Sequence, residues 1–573
     1  MALPSSIAAA RSWFEFAAAV DALADTTAKG DAFEQLVAQH LRYDPKYRTK
    51  LVHVWRHHEV PAELRARLRL PGRDMGIDLV AETHTGEFWA IQAKYRAATA
   101  GTVTFGELST FSSLAFHVCA GAFAYALVCT TTERITATLT GLNNLGTETA
   151  ETWAALPEDF FAYLSAPAAT PPPPLTPRPP RPHQTQAIER AVAYFATPGQ
   201  TRGKLIHPCG AGKSLTAYWI ARALDANRVL IAVPSLALVR QTLETWMSEA
   251  LADGRAADWL CVCSDDEIAS DFDNEELVAR IHELGLPCDT DPAELEKHLR
   301  AAAARPGLLV VLTTYQSSPV LAQAARAAGT AFDLCVCDEA HKTTGTASSY
   351  YAHLLHDENL PLARRLFMTA TERRFASSRS DDIVSMDDPD LYGETIDLLT
   401  FKAAIAAEPP ILCDYRLLTI GVRESEVRAL VEENRWLDLG PDGLDEVTSL
   451  ALASLVALRR ATTQYGVRHT VSFHSSIARA AKFQKYCNEL NEHLPDAAPV
   501  RAFHVTGALH AGGALAHHQR PLPNRRRGRA RHRLRLLRRP QRQHHRHRPS
   551  LRPRPPPRER QTTRLHPAPP RRA

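Results

Sequence analysis

The sequence predicts an α/β protein built on parallel sheets, with a smaller α/β/α unit ahead of a larger one. Three observations carry that expectation. A short apolar run, Lys204-Leu205-Ile206, passes through a glycine turn, His207-Pro208-Cys209-Gly210-Ala211-Gly212-Lys213-Ser214, into a helix-compatible stretch over 215–224. Apolar runs at 229–233, 308–312, 332–337 and Phe367-Met368 are separated by helical patterns, as buried parallel strands require. Nearer the N-terminus, 76–81 and 87–94 flank a His84-Thr85-Gly86 turn and read as a β-hairpin.

With 573 residues, 45% of them hydrophobic, the chain can bury substantial cores in about three or four domains. No apolar run approaches the roughly 18 residues of a membrane span. Met1-Ala2-Leu3-Pro4 lacks the charged and apolar regions of a signal peptide. The expectation is a cytoplasmic chain with no membrane contact. Cys261-Val262-Cys263 and Cys335-Val336-Cys337 place paired thiols on one strand face without zinc-site spacing, so they read as buried structural cysteines. The net charge of +4 conceals an asymmetry: from Arg520 onward 20 Arg stand against one acid, Glu559, giving +19 there and −15 before it.

The glycine turn has the chemistry of a phosphate cradle. Gly210 and Gly212 let backbone N–H groups face a polyphosphate, Lys213 reaches its β- and γ-phosphates, and the Ser214 hydroxyl sits on Mg²⁺. The formula GxxxxGK[ST] is met except at its first glycine, which is His207. About 125 residues later an apolar strand ends in Asp338-Glu339-Ala340-His341. Asp338 is placed to hold the Mg²⁺ shell and Glu339 to orient and deprotonate the attacking water. These residues resemble a superfamily 2 helicase of the DEAH type, and the resemblance spans roughly residues 180 to 510. It implies ATP, RecA-like lobes and double-stranded DNA. Arg181-Pro182-His183-Gln184 resembles the Q motif, with Gln184 as adenine reader. Val233-Pro234-Ser235 resembles motif Ia, and Thr313-Thr314-Tyr315-Gln316 a motif that contacts the DNA backbone. Thr369-Ala370-Thr371 resembles motif III, so Thr369 and Thr371, with His341, are the implied coupling residues between ATP and DNA.

In the hairpin, period-two alternation puts Gln92 and Lys94 on one face, where Asp78 meets them across the pair. Asp78 and the Gln92 side chain suit Mg²⁺ binding, and Lys94 suits steadying the attacking water or the developing charge. The alternative is a solvated hairpin face with incidental polar residues. The pattern resembles the PD-(D/E)xK nucleases, in the Mrr-like branch where Gln replaces the second acid. That resemblance implies a restriction-endonuclease-like fold and makes Glu34 the helix-borne acid. An Ala-rich helix over 7–23 is expected before a break at 26–30 and a second helix from Asp31. A helix over 105–116 and a buried strand over 122–129 are expected after the hairpin.

The expected organisation is an N-terminal helix (1–30), a nuclease-like domain (31–166), a Pro-rich linker (167–182), a first RecA-like lobe (183–400), a partial second lobe (401–510) and a basic tail (511–573). Residues 265–305 read as an acidic, helical insertion without a readable role. In the second lobe, 470–475 resembles motif IV, followed by a helix over 477–490 and a strand over 502–507. Beyond about Leu509 apolar periodicity ends, and no segment resembles motifs V or VI. Two readings of the tail compete. An Arg-rich arm would bind phosphates by counterion release. Out-of-frame translation of a GC-rich gene would yield the same Arg, Pro and His bias and a disordered tail, and the loss of the motifs favours it.

The whole order resembles the front end of type ISP restriction enzymes and related restriction helicase–nucleases. Those continue into a methyltransferase and a target-recognition domain, which resemble nothing here, so further segments or a methyltransferase/specificity subunit would supply them. The expectation is an ATP-driven DNA translocase carrying a Mg²⁺ endonuclease for defence against foreign DNA. The alternatives are an inactive or regulatory fragment that holds ATP and DNA without turnover, or a DNA-repair helicase–nuclease.

Overall fold

The computed structural model describes residues 3–97, 101–119, 121–140, 144–166, 170–264, 280–346, 350–375, 383–433, 446–474, 476–493, 500, 502 and 533–536. Local capping decides how the chain begins. The single helix expected over 7–23 is interrupted, because Ser12 caps a new helix, Trp13–Asp21, by accepting from the Glu15 N–H. Asp25 then accepts from the Thr27 and Ala28 N–H groups and starts the helix Thr26–Tyr43. The expected break at 26–30 therefore lies inside a helix. An N-cap side chain that satisfies orphan N–H groups outweighs the Thr and Gly composition of that turn.

Seven strands follow in this first region: β1 (Leu51–Arg56), β2 (Leu79–Thr83), β3 (Phe88–Lys94), β4 (Thr102–Val103), β5 (Tyr125–Thr130), β6 (Arg134–Ile135) and β7 (Leu145–Glu148). β1, β2, β3, β5 and β7 form one sheet in that order, and β4 pairs separately with β6. The β2–β3 hairpin is antiparallel with Leu79 opposite Ile91, whereas β3–β5 and β5–β7 are parallel. Alternation assigns the two faces. Leu79, Ala81, Trp89 and Ile91 pack with Phe33, Leu36 and Val37 of helix Thr26–Tyr43. Val80 and Ala90 pack with Leu108 and Phe111 of the helix Phe105–Ser113 on the other face. The result is an α/β/α sandwich, with Gly76 (φ +119°) turning the chain into β2.

After the exposed Pro-rich stretch, a second sheet is assembled from β8 (Arg202–Ile206), β9 (Arg228–Val233), β10 (Ala257–Val262), β11 (Leu308–Thr314), β12 (Leu334–Cys337), β14 (Arg365–Thr369) and β16 (Glu394–Leu398). Its order is β10-β11-β9-β12-β14-β8-β16, and every pairing is parallel. The short β13 (Gly345–Thr346) and β15 (Ile383–Val384) pair with each other. Helices cover both faces, as all-parallel strands demand. The Cys335 and Cys337 sulfurs lie 3.8 Å apart, both buried, as their alternation implied. Of the insertion, the structure describes a single 3-10 turn, Ile281–Leu284, and the helix Pro292–Ala303; residues 265–279 lie outside the described residues.

Ile420–Ala502 and the strand Arg533–Leu536 belong to a separate unit. Helices Glu424–Glu433, Glu446–Tyr465 and Ile477–His493 share an apolar cluster of Val427, Leu452, Leu455, Phe483 and Tyr486. β17 (His469–Ser472) overlaps the segment resembling motif IV. The strand expected over 502–507 lies outside the described residues except for Ala502. The tail expectation needs one correction: Arg533–Leu536 forms β18, parallel to β17 with His469 opposite Arg533. Arg-Leu-Arg-Leu has strand periodicity, and the main-chain groups of β17 need partners.

The helix Leu236–Ala252 ties the second sheet to its glycine loop through Trp246, which stands edge-on to Tyr218 at 5.2 Å and donates from Nε1 to the Ser214 carbonyl at 3.1 Å. Trp246→Ala is expected to remove about 3–5 kcal/mol of stability in urea denaturation. A loss well below that range would show that the loop does not depend on this contact.

Candidate active site

Two constellations form, one on each sheet. In the first, Asp78 stands immediately before β2, and its Oδ2 accepts from Gln92 Nε2 and from the Ala93 N–H, both at 2.6 Å. Glu34 descends from the helix Thr26–Tyr43, which packs on this sheet. Carboxylate oxygens of Glu34, Asp74 and Asp78 lie within 4.8 Å of one another. The structure thus brings together Glu34, Asp78 and Gln92, and it adds Asp74, which the sequence reading did not select. Asp74 is held by its own turn, with Oδ1 accepting from the Gly76 N–H at 2.8 Å. The local signal for it was Gly76, whose turn folds the preceding carboxylate back towards Asp78. Lys94 lies two residues beyond Gln92 on the same strand, half-buried and without an ion-pair partner among the described residues.

Burial, reinforced by neighbouring carboxylates, governs the ionisation of Glu34 and Asp78. Burial, then Glu34 and Asp74, push Asp78 well above the usual carboxylate range. Burial, then Asp74 and Asp31, raise Glu34 to about 7. Glu34 and Asp78, both pushed upward by burial and by neighbouring carboxylates, fit a divalent cation, which would relieve both the repulsion and the desolvation. Glu34, Asp74 and Asp78, with the Gln92 amide oxygen, are the groups that would hold it.

In the second constellation, the loop after β8 enters the helix Lys213–Ala223. Gly210 (φ +86°) and Gly212 (φ +85°) have left-handed backbones, and a Cβ on Gly212 would sit 2.6 Å from Gln184 Nε2. Gln184 is buried, donating to the Gly212 carbonyl at 3.2 Å and accepting from the Arg181 N–H at 2.9 Å. Asp338 and Glu339 follow β12, which is separated from β8 only by β14. Lys213 Nζ lies 3.8 Å from Glu339. Burial, then Glu339, raise Asp338 to about 6, whereas the His341 hydrogen bond, aided by Lys213, holds Glu339 below its ordinary value. Glu339 itself has φ +48°, a strained backbone for a residue with a side chain. His341 Nδ1 lies 3.1 Å from Thr369 Oγ1, which in turn accepts from the Thr371 N–H at 3.2 Å. His341, Thr369 and Thr371, the residues expected to couple ATP to DNA, therefore form one hydrogen-bonded chain. Ser214 Oγ is buried with no hydrogen-bond partner among the described residues. A Mg²⁺ ion held with Asp338 would supply that hydroxyl's missing partner, so the residues present fit Mg·ATP.

His207, where the loop formula has glycine, needs no glycine backbone, since it is not among the residues with positive φ. Its ring is fully buried, and Nε2 lies 2.7 Å from Asp397 Oδ2. Arg190 engages the other Asp397 oxygen at 2.5 Å. Neither partner was marked by a motif. Of the segment resembling the DNA-backbone motif, Thr313, Thr314 and Tyr315 are fully buried, and Tyr315 donates to the Asp338 carbonyl at 2.7 Å.

Comparison with known proteins finds matches to both domains. Residues 42–153 match the family described as restriction endonuclease, and residues 178–374 match the family described as type III restriction enzyme, res subunit. The probable helicase A859L of African swine fever virus (isolate Tick/South Africa/Pretoriuskop Pr4/1996) is 33% identical over 187 residues, covering 32% of this chain and 18% of that protein. The structure of the ATP-dependent type ISP restriction-modification enzyme LlaBIII bound to DNA superposes with a TM-score of 0.64 at 22% identity. That match covers 88% of this chain and 33% of the other, so the chain spans about a third of that enzyme's length.

The proton-binding acids give a prediction whose sign is fixed. A carboxyl whose folded pKa rises from 4.5 to about 7 binds more protons folded than unfolded, so its contribution to stability falls as pH rises between those values. Glu34→Gln should therefore raise the melting temperature of the metal-free protein at about pH 8 and abolish its stabilisation by added Mg²⁺. Calorimetric Mg²⁺ titration of the unaltered chain should show affinity tightening with pH as protons are displaced. A pH-independent affinity would exclude these acids as ligands.

One stretch of the chain thus matches a restriction endonuclease family and a later stretch the type III restriction res-subunit family, and the fold is similar to that of a type ISP restriction-modification enzyme.

Proposed function

We propose that this chain is an ATP-dependent DNA translocase coupled to a Mg²⁺-dependent endonuclease, acting in restriction-type defence against foreign double-stranded DNA. The observation that carries the reading is the convergence of Glu34, Asp74 and Asp78 beside Gln92, in the same chain as the Lys213–Glu339 pair. Both are arrangements for breaking bonds to phosphorus. Bound Mg²⁺ would neutralise phosphate charge and lower the pKa of a water at each site. The protein supplies the rest. Lys94 orients the attacking water and offsets charge at the scissile phosphate. Lys213 holds the β- and γ-phosphates, and Glu339, kept ionised by His341, takes the proton from the attacking water. The His341–Thr369–Thr371 chain passes the state of the γ-phosphate to the DNA-facing side of the lobe. A methyltransferase or specificity subunit, or further domains, would choose the DNA target. Among the described residues no helix is long and apolar enough to cross a membrane.

Separate variants test the two sites. Lys213→Ala should weaken binding of a fluorescent ATP analogue by at least about a hundredfold, because the phosphates lose their charged partner. Asp78→Asn should eliminate Mg²⁺-dependent cleavage of double-stranded DNA while leaving ATP-analogue binding unchanged. Cleavage at the unaltered rate by Asp78→Asn would make the hairpin structural and remove the nuclease assignment. Nucleotide binding without hydrolysis, even with DNA present, would instead favour a chain that holds ATP and DNA without turnover.

A further inference from the structure

The insertion that carried no readable role meets the nuclease domain, alongside the helix Leu236–Ala252, which packs on Pro45–Arg48, and β10, where Lys50 pairs with Asp258. Its turn Ile281–Leu284 and the following Gly285 lie against β7. Thr147 Oγ1 is 2.8 Å from His282 Nδ1 and 3.4 Å from the His282 carbonyl. Lys46 Nζ donates to the Leu284 carbonyl at 3.2 Å and pairs with Glu148 at 2.6 Å, with both side chains almost completely buried. Glu148 also accepts from the Tyr47 hydroxyl and, at 2.5 Å, from the Thr152 hydroxyl. Gly285 closes over this group. A Cβ there would lie 2.7 Å from Lys46 Nζ, 2.7 Å from Tyr47 Oη and 2.8 Å from Glu148 Oε1. At its other end the segment is pinned to the motor sheet, because the Cys288 backbone forms an isolated parallel β-bridge with Cys261 of β10, both thiols being free, and the Asp289 N–H donates to the Cys261 carbonyl at 3.1 Å. Leu284, Leu286 and Cys288 join one apolar cluster with Tyr47, Trp89 and Tyr125 of the nuclease and Val310 and Leu312 of the motor.

We propose that residues 281–289 form a docking strap that fastens the nuclease domain to the first motor lobe, so that the two move and unfold as one body. The latch is tight because a Cβ at Gly285 would push on the buried tips of Lys46, Tyr47 and Glu148 and so disturb the ion pair that the segment seals. Opening the seam would uncover the Lys46–Glu148 pair together with the shared apolar cluster, so the closed arrangement resists separation. For cleavage, the consequence is that the nuclease travels with the lobe that binds ATP; that consequence rests on the proposed function, whereas the docking itself does not.

The full chain supplies the test. A protease site placed in the exposed stretch 173–177 allows cleavage between the domains, and the nicked protein is then run on size exclusion. The expected result is a single particle that elutes with the uncut 63.2 kDa chain; separation of the two pieces would overturn the proposal. Gly285→Ala is then compared with Gly254→Ala, which imposes the same left-handed strain (φ +65° against +66°) in open space. Gly285→Ala should split the single calorimetric transition in two and release the pieces after nicking, while Gly254→Ala should do neither. Equal behaviour of the two variants, including failure of both to fold, would assign the effect to backbone strain and overturn the latch. Loss of nuclease activity with docking intact would count against the proposed function alone.

Discussion

The structure depends on one apolar cluster that does not stop at the domain boundary. It starts with Trp13, Phe16 and Phe33, passes under the nuclease sheet through Trp89 and Tyr125, and continues to Val229, Ile231, Val310 and Leu312 beneath the motor sheet. Each sheet has a second face with its own cluster. Because apolar burial is the dominant favourable term in folding, the shared face makes the orientation of nuclease to motor a consequence of folding. The Pro-rich linker then needs only to be long enough; it makes few contacts of its own, such as Arg178 with Glu249 and Arg48 with the Pro173 carbonyl.

On that scaffold both candidate sites use burial in the same way. Glu34, Asp78 and Asp338 are carboxylates removed from water next to other carboxylates, and each is pushed upward for that reason. Such groups are poorly matched to the protein alone and well matched to a divalent cation. Glu339 is the contrast. His341 and Lys213 hold it ionised, and an ionised carboxylate is what a base needs. The acids differ in environment, and their proposed roles follow from that difference.

How much was legible in the sequence follows from the range of each interaction. The strands and the parallel arrangement were readable because period-two and buried apolar runs are local patterns, and Gly210, Gly212, Lys213 and Ser214 were readable because the loop is contiguous. Asp78, Gln92 and Lys94 came from hairpin alternation, and the structure confirms the hairpin and the Asp78–Gln92 contact. Asp74 was missed because no periodicity points an exposed turn residue into a cluster. The starts of the first helices were misplaced because composition was weighed above the caps at Ser12 and Asp25. The role of 281–289 was invisible for a stronger reason. Lys46, Glu148 and Leu284 are separated by 102 and 238 residues from the groups they meet, and nothing in their neighbourhoods marks them.

His207 shows how a motif can be broken without losing its geometry. β16 enters the sheet beside β8 through Gly393 (φ +68°), where any Cβ would collide with the Arg202 carbonyl. Its register then slips between Thr395 and Asp397. Such an irregularity re-aims a side chain, and here Asp397 meets His207 at the mouth of the glycine loop. Burial alone would push Asp397 upward, but hydrogen bonds from His207 and Arg190 outweigh it and hold the carboxyl below its ordinary range. An ionised Asp397 therefore joins three elements: the helix Pro182–Ala196 that carries Gln184, the loop after β8, and the strand β16. A glycine at 207 would leave this carboxylate buried with half its partners. The side chain that departs from the loop formula is thus the one that anchors the loop, and the departure argues for a nucleotide site tied to its edge strand rather than for a degenerate one.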